Sequence, residues 1–325
     1  MEIILEEKLR TEYENLCEVC GSKNIISIVE DGKDYEYGLE GSFRVLQCRE
    51  CKFAFQSPRP LKEQLEIYYP LNYANYKDSK SSIISWLSSA YFCKQAKEIS
   101  KLMGDKGNFL DIGCSNGHFL KVLKRFGDYQ LNGVEIKPEI AQMALDKGFN
   151  VYTGQIEDAN FEGNSFDLIR MNHLIEHVTF PSVSFYYCNV LLKPGGYLYG
   201  ETPNLDCIDF RIFKKLWGCL HLPRHIVFFS SGNLEILANK MGYKVVEITQ
   251  SPMTPGWSLS FQNYLVSRLK LRTSKGRISI YPLLVFLSIP IVQVQRIFKK
   301  ACVIKFVLQK DKDVKIDLAN RIVFS

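Results

Sequence analysis

The chain lacks an apolar run able to span a bilayer, internal repeats and low-complexity tracts. A spanning helix needs about 20 predominantly apolar residues. The uncharged run from Ile278 to Gln295 is broken by Pro282 and Pro290 and diluted by Ser279, Ser288, Gln293 and Gln295. A secretory leader is not expected either, because Met1-Glu-Ile-Ile-Leu-Glu-Glu-Lys carries early acids and no long apolar core. The expected location is the cytoplasm. A dense basic patch is also missing: the net charge of +6 and pI near 8.7 are mild, which argues against nucleic acid as the partner. What remains, 325 residues that are 46% hydrophobic, is enough for one α/β domain of ordinary size plus a small module.

Cysteine is plentiful and unevenly placed. Cys17-Glu-Val-Cys20 and Cys48-Arg-Glu-Cys51 are two Cys-x-x-Cys knuckles with 27 residues between them, a span that suits a short hairpin. Four thiolates so spaced can surround one zinc tetrahedrally, the pattern of a zinc ribbon. A redox knuckle of the thioredoxin kind would stand alone at a helix start. The remaining six, Cys93, Cys114, Cys188, Cys207, Cys219 and Cys302, have no ligand spacing and read as small hydrophobes.

Asn108-Phe-Leu-Asp-Ile-Gly-Cys-Ser-Asn-Gly-His-Phe-Leu120 reads as a buried strand, a tight glycine turn and a helix start. Phe119, Leu120, Val122, Leu123 and Phe126 recur at helical spacing, and Gly127 ends that helix. Asp111 stands two residues before Gly113, which separates the motif from the dinucleotide fingerprint G-x-G-x-x-G. It resembles motif I of the class I S-adenosylmethionine (SAM) methyltransferases, Asp-x-Gly-x-Gly-x-Gly, with Ser115 at the middle glycine. A second strand, Leu131-Asn-Gly-Val-Glu135, ends in an acid placed to take ribose hydroxyls, with Ile136 beside it. Pro138 and Gly148 bracket the next helix, and a strand near Val151 to Thr153 leads to Gly154-Gln155-Ile156. Ser165 to His177 looks like the family's "sFDvI…hviEHv" segment, Leu191 to Glu201 like its Pro-Gly-Gly turn and fifth strand, and Leu222 to Ser231 like a "pprHl.ffs" element found in sugar, polysaccharide and quinone pathways.

The resemblance implies a Rossmann-like, seven-stranded α/β methyltransferase domain preceded by a small zinc ribbon. The expected layout is a ribbon over residues 1–60, a helical aromatic-rich connector over 61–107, the SAM domain over 108–310 and a tail over 311–325. It further implies a cofactor site of Asp111, Gly113, Cys114, Gly117, Glu135, Ile136, Gln155, Ile156, Asn172 and His173. Gln155 stands where the family has an acid, keeping a polar partner for adenine. The acceptor is expected to be a small molecule, sugar or lipid-linked glycan, methylated on a hydroxyl oxygen. Such a hydroxyl benefits from a base, and His225 and His177 are the candidates. Glu176 would orient one of them, or Glu176 and His177 would bind a divalent metal. Sugar C-methylation is the close alternative. An RNA methyltransferase is the more distant one, disfavoured because Arg170-Met-Asn-His173 replaces the Asn/Asp-Pro-Pro-aromatic motif that serves base amino groups.

Two segments fall outside a minimal domain. The connector carries Tyr68, Tyr69, Tyr73, Tyr76, Trp86, Tyr91 and Phe92, either as a lid over the cofactor or as packing between ribbon and domain. An insertion at about 250–300 sets Arg268, Lys270, Arg272, Lys275 and Arg277 before the uncharged run and Arg296, Lys299 and Lys300 after it. It reads as helices beside the cleft or at a dimer contact, or as a peripheral membrane contact through residues 268–300. Sequence alone leaves the oligomeric state open.

Overall fold

The computed structural model describes residues 16–59, 82–297, 300–317 and 322–324. Tyr68, Tyr69, Tyr73, Tyr76 and the side chain of Trp86 lie outside the described parts, so the lid reading of that stretch stays an expectation.

The first module is a hairpin of β1 (Ile25–Gly32) and β2 (Phe43–Cys48), with β3 (Ala54–Ser57) antiparallel to β2. Its two Cys-x-x-Cys loops fold alike. Gly21 N–H donates to Cys17 O at 2.8 Å and Lys52 N–H to Cys48 O at 3.0 Å. Both closing residues have positive φ, 78° at Gly21 and 64° at Lys52. This repeated turn is what brings the four sulfurs to one point.

The main sheet is built from β4 (Lys106–Ile112), β5 (Asp128–Glu135), β6 (Asn150–Thr153), β7 (Phe166–Asn172), β8 (Leu192–Pro203), β10 (Tyr243–Ser251) and β11 (Val303–Lys310). Their order across the sheet is β10-β11-β8-β7-β4-β5-β6. β11 runs antiparallel to both neighbours, and β8, β7, β4, β5 and β6 pair in parallel. A parallel sheet is covered on both faces, so its strands must be apolar on both sides. Alternation delivers this: Phe109 and Leu168 join one buried cluster, while Leu110, Ile112, Ile169 and Met171 join the other. Gly200 is obligatory in β8, because a Cβ there would collide with Met171 O and the Phe306 ring.

The ribbon is less independent than a boundary at residue 60 implies. β3 continues into β9 (Val227–Phe228), so the first module's sheet is completed by a strand from the Leu222–Ser231 element. Phe53 and Phe55 belong to the same buried cluster as Met171 and Phe306. The insertion forms two helices, Thr254–Leu269 and Tyr281–Ile297, packed on each other. A buried relay fastens them down: Trp257 Nε1 donates to Gln295 Oε1 at 2.9 Å, and Gln295 and Trp217 both donate to Asp209. No described helix is long and apolar enough to cross a membrane.

Candidate active site

The chain leaves β4 toward β5 and β6 on one side, then returns to place β7 and β8 on the other. That reversal opens a crevice beyond the carboxyl ends of β4 and β7, where ligands bind in open α/β sheets. The glycine turn follows β4 and a one-turn 3-10 helix, Ile175–His177, follows β7.

In the glycine turn, Gly113, Ser115 and Gly117 have φ of 75°, 50° and 75°. A Cβ on Gly113 would sit 3.2 Å from the Leu174 side chain, so at this positive φ glycine is the residue that lets the turn close against the segment after β7 without strain. Glu135 is buried, accepts Ser115 N–H at 3.0 Å and Lys137 N–H at 3.1 Å, and thereby fixes the turn to the end of β5. Those bonds leave lone pairs on both its oxygens, since a carboxylate has about four acceptor positions. Ile136 is 43% exposed at the mouth, whereas Ile156 is buried and Gln155 half-buried after β6. Turn, acid and apolar wall therefore fit a nucleoside with a charged tail.

Two cofactor-site candidates face elsewhere. Cys114 turns inward against Gly133, and its own N–H is taken by Val134 O at 3.0 Å. Asp111 is buried and accepts from Arg170 Nη1 at 2.8 Å. Its Oδ2 has no hydrogen-bond partner among the described residues, and burial, only partly offset by Arg170, pushes its carboxyl up. Arg170 also donates to Gln95 Oε1 at 2.8 Å and lies 3.8 Å from the Phe119 ring centroid.

The connector helix, Ser82–Met103, reaches this crevice. Tyr91 donates to Glu201 Oε2 at 2.6 Å, and Gln95 Nε2 reaches Glu201 Oε1 and Asn172 Oδ1 at 3.0 Å each. Phe92 packs edge-on against Phe119 and His118. These contacts join the connector to the main domain. Tyr91 was visible only as one aromatic among several, and Gln95 and Glu201 carried no local signal.

The chemistry-bearing group lies just beyond. His173, at φ 51°, sets Nδ1 3.2 Å from Glu176 Oε1, while Thr202 Oγ1 donates to Glu176 Oε2 at 3.0 Å. Burial raises the Glu176 carboxyl, but His173 and His177 together bring the net shift downward. His177 Nδ1 faces Arg224 O at 3.0 Å and His225 Nδ1 faces Cys219 O at 2.9 Å. A carbonyl oxygen only accepts, so both Nδ1 atoms carry the proton and each Nε2 is left as the ring's acceptor. Burial lowers the pKa of His177, and burial with His177 and His221 nearby puts that of His225 well below the ordinary range. The two rings lie 4.6 Å apart. Glu176, His177 and His225 each offer one ligand-capable atom, all within 4.8 Å of one another. The sequence singled out all three, and the fold brings them together.

The loop bearing His225 is held by the ribbon. Ile226 N–H donates to Glu176 O and Ile226 O accepts Gln56 N–H, both at 2.7 Å. Arg224 is fully buried on Asp34 and Glu36, and His221 pairs with Glu36 as well.

The four ribbon sulfurs also converge. Cys17 and Cys51 Sγ are 3.4 Å apart, Cys20 and Cys48 Sγ 3.6 Å, and all four lie within 4.8 Å. With metal–sulfur bonds near 2.3 Å, tetrahedral zinc separates its sulfurs by about 3.8 Å. The cluster can therefore hold zinc with small adjustment.

Comparison with known proteins agrees with this layout. Residues 87–248 match the model of a methyltransferase domain family. A ubiquinone biosynthesis O-methyltransferase of Nitrosococcus oceani is 32% identical over 166 residues, spanning 46% of this chain and 70% of that protein. The chain belongs to the class I SAM-dependent methyltransferases. A namesake from Xanthomonas axonopodis is 35% identical over 102 residues, 29% of this chain and only 42% of its own length. In fold, the chain resembles the Galdieria sulphuraria protein assigned as a sarcosine dimethylglycine methyltransferase. The TM-score is 0.50 at 16% identity, covering 70% of this chain and 86% of that one, a likeness of fold alone.

Proposed function

We propose that this methyltransferase modifies a hydroxyl oxygen on a small ring-bearing acceptor, with His225 or His177 taking the proton. The observation that carries the reading is the pair of neutral imidazoles whose Nδ1–H groups are tied to Arg224 O and Cys219 O, leaving Nε2 unprotonated in rings clustered with the Glu176 carboxylate. When bound, SAM supplies an activated methyl group. Glu135 and the Gly113–Gly117 turn would hold it by ribose and tail, with Ile136, Gln155 and Ile156 around the adenine and Asn172 and His173 at the methionine end. The protein's part is to place the acceptor, exclude water and remove its proton as the new bond forms.

Relatives named for ubiquinone biosynthesis favour a phenol of quinone-precursor type over the polysaccharide that the sequence resemblance also allowed. Sugars and lipid-linked glycans remain in the acceptor class to be tested. Zinc on Cys17, Cys20, Cys48 and Cys51 would be structural, since four protein ligands leave no open position.

A second reading rests on the same triad. Two imidazoles and a carboxylate within 4.8 Å are a suitable ligand set for a divalent cation, their Nδ1–H bonds to carbonyls acting as the outer shell that orients such ligands. A cation there would lower the pKa of an acceptor hydroxyl.

Incubation with methyl-labelled SAM and two acceptor sets, prenylated catechols and nucleotide sugars, tests the proposal. Mass spectrometry should place the label on oxygen, with the catechols the better set. A label found only on carbon, or only on a nucleic-acid base, would overturn it.

A further inference from the structure

We propose that the outward face of the Tyr281–Ile297 helix is a docking surface for anionic phospholipid membrane. The family match ends at residue 248, so this helix is no part of the shared methyltransferase domain, and the proposal does not depend on the acceptor.

The helix has two unlike sides. Leu284, Ser288, Val292 and Gln295, spaced by about one turn, face the protein and are buried. Leu283, Phe286, Leu287, Val294 and Ile297 fall on the opposite side, at helical spacings that align them in one stripe. They are 52–76% exposed, with Phe286 at 68% and Ile297 at 76%. Single exposed apolar residues need no explanation, but a continuous stripe does.

Charge decides the occupant. From Ile248 to Lys310 the sequence contains ten Lys and Arg and not one Asp or Glu; of the ten, Arg277, Lys300, Lys305 and Lys310 are paired with acids outside this stretch. Arg268, Lys270, Arg272 and Lys275, in and beside the connection leading into the helix, are exposed and have no ion-pair partner among the described residues. Arg296 and Lys299 follow at the other end in sequence, whereas Lys300 is taken up by Asp206. Because bases bracket both ends, a second copy of this chain would bring like charge against like whether the helices paired parallel or antiparallel. An anionic bilayer neutralises both ends while the stripe enters the headgroup boundary. The helix is too short and too interrupted to do more than lie at that boundary.

Flotation of the full chain with vesicles tests this, comparing phosphatidylcholine alone with phosphatidylcholine containing about 30% phosphatidylglycerol. Wild-type protein should float with the anionic vesicles, stay behind with the neutral ones, and release progressively as salt shortens the screening length. Phe286→Glu with Leu287→Glu, and separately Arg268→Ser, Lys270→Ser, Arg272→Ser with Lys275→Ser, should each lower partitioning about tenfold or more. SAM binding and melting temperature should stay close to wild type, since these side chains are exposed. The proposal falls if wild-type protein ignores anionic vesicles or if both variants bind as well as wild type. It also falls if light scattering finds a dimer that Phe286→Glu with Leu287→Glu dissolves while vesicle binding is absent, which would assign the stripe to a second copy.

Discussion

Arg224 lays both terminal nitrogens on the carboxylate of Asp34, at 3.1 Å each, although 190 positions separate them in the chain. Both side chains are buried, and the carbonyl of Arg224 is the group that orients His177. The first module is thus more than an appendage: its hairpin grips the residue between His221 and His225. Stranding one member of a buried ion pair typically costs about 3–5 kcal/mol. Without Asp34, Arg224 keeps its bond to Glu36 and approaches that limit. Asp34→Ala should therefore lower the melting temperature strongly, and Asp34→Glu, which keeps the charge, should recover part of the loss. Thermal unfolding with zinc present checks this.

The zinc prediction follows from the same architecture. Cys48→Ser should release the metal, because thiolate binding and ribbon folding are coupled. A self-contained ribbon would melt alone. Since β3 pairs with β9 and Gln56 N–H bonds to Ile226 O, metal loss should also loosen the His225 loop and reduce turnover, while SAM still binds at the other side of the crevice. Elemental analysis, activity and calorimetric SAM titration on one preparation separate these outcomes.

Glu36 gives a pH signature. Burial would raise its carboxyl, but His221, Arg224 and Arg277 together hold it well below the ordinary carboxylate range. A carboxyl with a depressed folded pKa releases its proton more readily in the folded state. Its stabilisation is full above the unfolded value near 4.3 and is lost as pH falls below it. Glu36→Gln should therefore cost stability at neutral pH, and the gap to wild type should narrow as pH drops through the carboxylate range. Melting temperatures of the two proteins from pH 7 down to about pH 2 provide the check.

Glu135→Ala should weaken SAM by about 1.5–3 kcal/mol, the range for hydrogen bonds to a charged group. Its loss also frees Ser115 N–H and Lys137 N–H, so Glu135→Gln should retain the turn better and recover part of the affinity. Calorimetric titration of both variants measures this.

Much of the site was legible because the signals were local. Gly113, Gly117 and Glu135 announce a turn and an acid at strand ends, and each cysteine knuckle is encoded within four residues. The Glu176–His177 and His225 elements were readable separately through resemblance. What sequence could not convey was pairing across the chain. Asp111 was read as facing the cofactor, but its carboxylate is bound to Arg170 on the adjacent strand, a partnership no spacing rule exposes. Cys114 occupies a motif position yet turns inward, because the space beside Gly133 admits its sulfur. The ribbon's role in holding the His225 loop depends on Asp34 and Glu36, two acids in a hairpin that look like ordinary surface charge until Arg224 is seen buried against them.

The most direct test of the account compares single-turnover methyl transfer by wild type, His225→Gln and His177→Gln with a catechol acceptor and saturating labelled SAM. Proton removal by a positioned base contributes about 10²- to 10⁴-fold. At least one variant should therefore lose turnover on that scale while SAM affinity stays near wild type, because the proton moves only on the way to the transition state. Repeating the assay with a chelator that leaves the ribbon zinc in place separates the two readings of the triad: unchanged turnover is the result expected for histidine as base. Full activity in both histidine variants would contradict the account, leaving positioning and desolvation alone as the source of rate and removing the hydroxyl acceptor with it.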